Sequence, residues 1–220
     1  MRELLVLGAA GSGKSIFAQR LRRLLEERVG RHWADDQKEA LKGQDRHALA
    51  NSEATMPTVG VELSEVELPA GAGPGGGTWS LREVGGSLAG RWASYLPHCD
   101  HVLFLADAAD PAGLASAQVL LHEVLLELEE LAAVEGQAAA DSVEGRAQGH
   151  ASPRLLLLLN KADMCTQATL AQAAHFLGVP ELLLRGAGGS GYRVKVDAAS
   201  GCALDGSLCH EAAHWIAQRD

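Results

Sequence analysis

The chain has 220 residues and a formal charge of −9 at pH 7. That length fits one domain with a substantial core, and that sign excludes nucleic acid as a main partner and plain electrostatic docking on anionic lipid. Aromatic residues make up only 4% of it, so the core has to be built from Leu, Val and Ala.

No apolar run reaches the length of a membrane span. Leu4 to Leu7 reads as a short buried strand. The run behind Met1-Arg2-Glu3 has the outline of a signal peptide, but cleavage there would destroy the motif that follows, so that reading is rejected. Arg2 at the second position excludes N-myristoylation. The next residues, Gly8-Ala9-Ala10-Gly11-Ser12-Gly13-Lys14-Ser15, form a glycine-rich turn between this strand and an amphipathic helix from Ser15 to about Glu27. Strand, glycine-rich turn, Gly-Lys-Ser and helix together make a phosphate-binding P-loop. The glycines let backbone N–H groups curl around a polyphosphate, and the helix N-terminus adds partial positive charge. Lys14 would reach the β- and γ-phosphates, and the Ser15 hydroxyl would ligate Mg²⁺.

Residues 28–54 are polar with little periodicity and read as a loop insert, with a short helix around Asp35 to Lys42. Val61 to Glu67 alternates as an edge strand. Pro69 to Gly77 is a glycine-rich hairpin loop, Trp79 to Arg82 the returning strand, and Glu83 to Ser87 a turn. Trp92 to Leu96 suggests a short helix, and His101 to Ala106 a buried strand ending at Asp107. Leu114 to Leu131 has helical spacing, and residues 135–152 read as an Ala/Gly-rich insert. Leu155 to Leu159 is wholly apolar, as in a strand buried on both faces of a parallel sheet. Thr166 to Leu177 is a helix, Arg193 to Val196 a last strand, and Ser207 to Gln218 a closing helix. The alternation predicts a doubly wound α/β fold, mostly parallel with one antiparallel edge strand, spanning residues 1–220 as one domain.

Asn160-Lys161-Ala162-Asp163 follows the central apolar strand, at the edge where such sheets bind ligands. The Asp163 carboxylate can accept from N1–H and the exocyclic amine of guanine. Adenine lacks that donor pair and would leave the carboxylate desolvated and unpaired. The Lys161 stem can lie against the base. These features point to GTP or GDP as the ligand.

Five further segments resemble the Arf-like branch of the small GTPases. They are Pro57-Thr58-Val59-Gly60, Glu83-Val84-Gly85-Gly86, Trp92-Ala93-Ser94-Tyr95, Ala106-Asp107-Ala108-Ala109-Asp110 and Asp197-Ala198-Ala199-Ser200-Gly201. The resemblance implies a P-loop NTPase of the small G-domain type. It implies a nucleotide shell of Gly8 to Ile16, Thr58, Gly86, Asn160, Lys161, Asp163, Ala198 and Ala199, with the Ala198 N–H meeting the guanine oxygen. It also implies a Mg²⁺ held by Ser15 and Thr58 and, through water, by Glu83. The Gly86 N–H would bond the γ-phosphate. Two positions depart from the family: Glu83 replaces an Asp, and Ser87 replaces the Gln that orients the attacking water.

The resemblance further implies an effector that reads the two loops around Thr58 and Gly86, an exchange factor and a GTPase-activating protein. It implies a role in membrane or ciliary traffic, with the protein in the cytoplasm or held peripherally at the Golgi or cilium base through partners. With the P-loop starting at Gly8, no room is left for an amphipathic anchor ahead of it, so no direct membrane anchor is expected. Two other readings stay open: a nucleotide kinase, whose acceptor lid would have to be residues 28–54, and a scaffold that holds GTP without cycling. Hydrolysis is expected to be slow at most, with Arg82 or Arg91 the candidates for a charge supplied in cis. His210-Glu211-Ala212-Ala213-His214 matches a zinc-protease pattern but has too little chain after it for the usual third ligand, and reads as solvent-facing histidines. Cys99, Cys165, Cys202 and Cys209 form no C-x-x-C pair and read as free thiols in a reducing cytosol.

Overall fold

The computed structural model describes residues 2–28, 58–68, 77–141, 154–185 and 193–218, with 28, 68, 135–141 and 185 described by their backbone alone. The strands are β1 (Arg2–Gly8), β2 (Val61–Leu68), β3 (Gly77–Val84), β4 (His101–Asp107), β5 (Arg154–Asn160) and β6 (Lys195–Ser200). The helices are α1 (Lys14–Arg28), α2 (Pro111–Asp141), α3 (Gln167–Phe176), α4 (Val179–Arg185) and α5 (Ser207–Ala217). One sheet has the order β2-β3-β1-β4-β5-β6. Every neighbouring pair is parallel except the β2–β3 hairpin at the edge. This is the doubly wound α/β architecture that the alternation predicts.

Two-residue periodicity divides the core. Leu5, Leu7, Phe104, Leu155 and Leu157 face α2 and α3. Leu4, Val6, Leu103, Leu156 and Leu158 face α1 and α5, where Phe17, Leu21, Ala212 and Trp215 meet them. All seven residues of β5 are buried, because helices cover both of its faces. Truncating one such leucine to alanine costs about 2–5 kcal/mol.

Several boundaries differ from the sequence reading. α2 runs to Asp141, seven residues into the stretch read as an insert from 135. The rest of that insert, the loop before Thr58 with its expected short helix, and Pro69 to Gly76 lie outside the described residues. Trp92 to Leu96 is not one helix. Two 3-10 turns, Gly86–Ser94 and Leu96–His98, meet at Tyr95. α4 went unread; Gly178, at φ +72°, closes α3 and its carbonyl accepts from Leu182 N–H. Pro180 at the second position of α4 was a legible start signal.

The last strand is the largest displacement. β6 begins at Lys195 and runs through Asp197, Ala198 and Ala199 to Ser200. The stretch read as a base-contacting loop is therefore strand. Its Asp197 faces away from the ligand edge, accepting from Trp215 Nε1 at 2.7 Å and pairing with Arg154 at 3.5 Å.

Candidate functional site

The P-loop leaves β1 at Gly8 and enters α1 at Lys14. Lys14 is buried, and its ammonium donates to the carbonyls of Gly8 at 2.9 Å and Ala9 at 2.8 Å. Burial pushes the Lys14 pKa down, and the Glu83 carboxylate pushes it partly back up. These bonds hold the lysine stem along the loop it serves, with Ala10 and Gly11 exposed above it.

Three oxygens converge at the start of α1. Ser15 Oγ donates to Glu83 Oε1 at 2.6 Å, and Thr58 Oγ1 donates to the same oxygen at 3.1 Å. Ser15 Oγ and Thr58 Oγ1 lie 2.9 Å apart. β3 delivers Glu83 from its last turn of pleat, and β2 starts just after Thr58. Beyond Glu83 the two glycines pass too close to neighbouring backbone to carry a side chain. A Cβ on Gly85 would sit 2.3 Å from the Thr58 carbonyl oxygen, and one on Gly86 would sit 2.4 Å from the Ala10 nitrogen. Gly86 thus rests on the P-loop backbone itself. Ser87 follows it, exposed, in the first 3-10 turn. Arg82 does not turn toward this site. It pairs with Glu3 at 2.7 Å and lies over the Tyr95 ring at 5.4 Å. Arg91 is exposed.

Asn160 is buried and ties three segments together. Its Nδ2 donates to the Ser12 carbonyl at 2.8 Å, and its Oδ1 accepts from Ala203 N–H at 2.9 Å. Lys161 adopts a left-handed φ of 61° and pairs with Asp107 at 2.6 Å. Asp163 stands exposed in the following 3-10 turn. Burial, with the Asp163 carboxylate beside it, pushes the Cys202 pKa up. Cys99 and Cys209 are pushed up to about 12, chiefly by burial.

Ala198 and Ala199 are not brought to this edge. Ala198 is level with Leu157, three residues before Asn160 on β5, which puts it about 10 Å below the ligand edge at about 3.3 Å per residue. The residues that reach this edge are Cys202, beside Asp163, and Ala203, whose N–H donates to Asn160. The sequence carried the signal, since Ser200-Gly201-Cys202-Ala203 offers a second small-polar–alanine pair past a strand long enough to match β5. Ile16 packs under the loop against the α1–α5 core. His210 is half-buried and His214 exposed on α5, and among the described residues no group of three His, Cys, Asp or Glu is placed to hold a metal.

No family model matches the chain. Human ADP-ribosylation factor-like protein 16 is 27% identical over 179 residues, 81% of this chain and 69% of that protein. Human ADP-ribosylation factor-like protein 4D is 28% identical over 130 residues, 58% of this chain and 54% of that protein. Its relatives are Arf-like small GTPases. The fold agrees. The Arl6 BBS3 small GTPase of Trypanosoma brucei, solved with bound GppNp, superposes with a TM-score of 0.57 at 16% identity, covering 98% of this chain and 94% of its own. The signal recognition particle receptor SRb-GTP/SRX complex of Chaetomium thermophilum gives a TM-score of 0.60 at 17% identity, covering 99% and 100%. The six-stranded sheet with its single antiparallel edge strand is that of a small G domain.

Proposed function

We propose that the protein is a GTP-binding switch of the Arf-like type. The observation that carries this reading is the Asn160 strut, which joins the phosphate loop at Ser12 to the turn at Ala203 and sets Asp163 beside them. One ligand spanning these points needs a polyphosphate at one end and a base with two adjacent donors at the other. Cys202 and Ala203 take the place first expected of Ala198 and Ala199, with the Ala203 turn beside the guanine oxygen. The three oxygens of Ser15, Thr58 and Glu83 are hard donors of the kind Mg²⁺ takes, so the donor set fits that ion, which would neutralise phosphate charge when bound. Thr58 and Gly86 would sense the γ-phosphate and order the surface an effector reads. Val59 and Leu63, 84% and 58% exposed on this side of the hairpin, supply its apolar part. The net charge of −9 favours reaching a membrane through partners, and membrane or ciliary traffic is the setting that the Arf-like resemblance suggests. Among the described residues no helix is long and apolar enough to cross one.

Displacement of a fluorescent guanine nucleotide by the four triphosphates tests the reading. GTP should compete best. Asp163→Asn should shift preference toward xanthine nucleotides, whose 2-oxo group accepts from the new amide, by about tenfold or more, or about 1.4 kcal/mol. Preference of the wild type for ATP would refute it. A second outcome concerns Gly86. Its missing Cβ would meet backbone, which cannot step aside as a side chain can, so Gly86→Ala must lift this turn off the P-loop. It should lose about tenfold in affinity for a GTP analogue and keep that for GDP, read in the same assay. Equal losses for both would mean that Gly86 supports the loop without sensing the γ-phosphate.

A further inference from the structure

We infer that Glu83 binds Mg²⁺ directly, in the position that a water fills when an aspartate stands there. The inference rests on the GTP-switch reading and concerns what this chain's own side chain does within it. Glu83 is 3% exposed, and one of its carboxylate oxygens touches both hydroxyls. The three oxygen–oxygen edges measure 2.6, 2.9 and 3.1 Å. Neighbouring ligands of an octahedral Mg²⁺ with bonds of about 2.1 Å stand about 3.0 Å apart. Ser15 Oγ, Thr58 Oγ1 and Glu83 Oε1 are therefore spaced as one triangular face of that octahedron.

The proton count points the same way. Two hydroxyl protons serve three close oxygen–oxygen edges, so one edge sets lone pair against lone pair. A cation over the face would relieve it, and each hydroxyl could then donate outward. Chain length explains why this differs from an aspartate. An aspartate from the same Cα would end about 1.5 Å short. That is too far to touch the ion and leaves the span that a bridging water fills. The extra methylene moves the carboxylate from the second layer of the metal to the first, and an anionic oxygen replaces a neutral water there.

The test counts waters. The full chain is loaded with a non-hydrolysable GTP analogue and Mn²⁺, and the bound waters are counted by the broadening that ¹⁷O-enriched water adds to the Mn²⁺ resonance. The wild type should hold one water fewer than Glu83→Asp. Glu83→Gln keeps the reach and loses the charge. It should match the wild type in water count, while nucleotide release against metal concentration shows about tenfold weaker metal binding. Equal counts in the wild type and Glu83→Asp, with nucleotide bound in both, would overturn the assignment alone. A Mn²⁺ signal indifferent to guanine nucleotide would overturn the switch reading and the assignment with it.

Discussion

Asn160→Ala should abolish tight nucleotide binding, lowering affinity by a factor of about 100 or more, or about 2.7 kcal/mol. The side chain contributes at two buried points at once. Its removal leaves the Ser12 carbonyl and the Ala203 N–H without their partner, at about 1–3 kcal/mol for each buried polar group left unsatisfied. The loops relax to recover part of this, and in relaxing they lose the spacing between phosphate loop and base turn. Asn160→Asp separates the two bonds. It keeps an acceptor for Ala203 but sets a carboxylate oxygen against the Ser12 carbonyl, and should be at least as damaging. Gly13 provides an internal control. A Cβ there would lie 2.3 Å from Asn160 Nδ2, so Gly13→Ala should weaken binding by pushing the amide off Ser12. In the Asn160→Ala background that clash is gone, leaving only the strain of φ +91°, so the two losses should not add. Titration of a fluorescent GDP analogue, with thermal melts to separate binding from folding, gives all four values. Unchanged affinity in Asn160→Ala would show that the strut is dispensable.

Much of this arrangement was legible because it is local. Gly8 to Ser15 is contiguous, and the apolar strands on either side announce themselves by composition. The order of Leu155 to Leu159 and then Asn160 fixed where the base-reading residues emerge. What failed was register between distant segments. Nothing within Arg193 to Gly201 says how far β6 must run before it clears the sheet edge. That limit is set by β5, whose first six residues, Arg154 to Leu159, β6 lies beside. A strand is cut to its neighbour's length by ladder pairing, a non-local constraint. Asp197 illustrates the cost. It headed the segment that resembled a base-contacting loop, and its actual partners, Trp215 and Arg154, lie away from the ligand edge. Glu83 was legible as a departure, while the direct reach of its carboxylate to both hydroxyls needed coordinates. The same holds for Arg82, whose pairing with Glu3 across β1 and β3 no spacing rule reveals.

That pairing sharpens the second large effect, a hydrolysis rate at or below the unaided range. Phosphoryl transfer asks the protein for positioned water and for charge stabilisation, with little covalent chemistry. On the switch reading, Lys14 and the P-loop amides would supply charge at the phosphate end. Water positioning falls to the residue after Gly86, which is Ser87, and its hydroxyl ends one atom beyond Cβ, too close to the backbone to hold an attacking water in line. A small GTPase with its glutamine in place turns over at only about 10⁻⁴ to 10⁻³ per second alone. Single-turnover hydrolysis of preloaded GTP should place this protein at or below that range. Ser87→Gln should raise the rate if the backbone after Gly86 suits an in-line water. Arg82→Ala should leave the rate unchanged, because its guanidinium is committed to Glu3 and Tyr95 on the far side of β3. Arg91 is the remaining candidate for a charge supplied in cis, exposed on the same 3-10 segment as Ser87. A wild-type rate above about 10⁻² per second, the level of a domain carrying its arginine in cis, would refute slow hydrolysis. Collapse of that rate in Arg91→Ala would identify the group responsible, and collapse in Arg82→Ala would mean that the Glu3 pair opens when nucleotide binds.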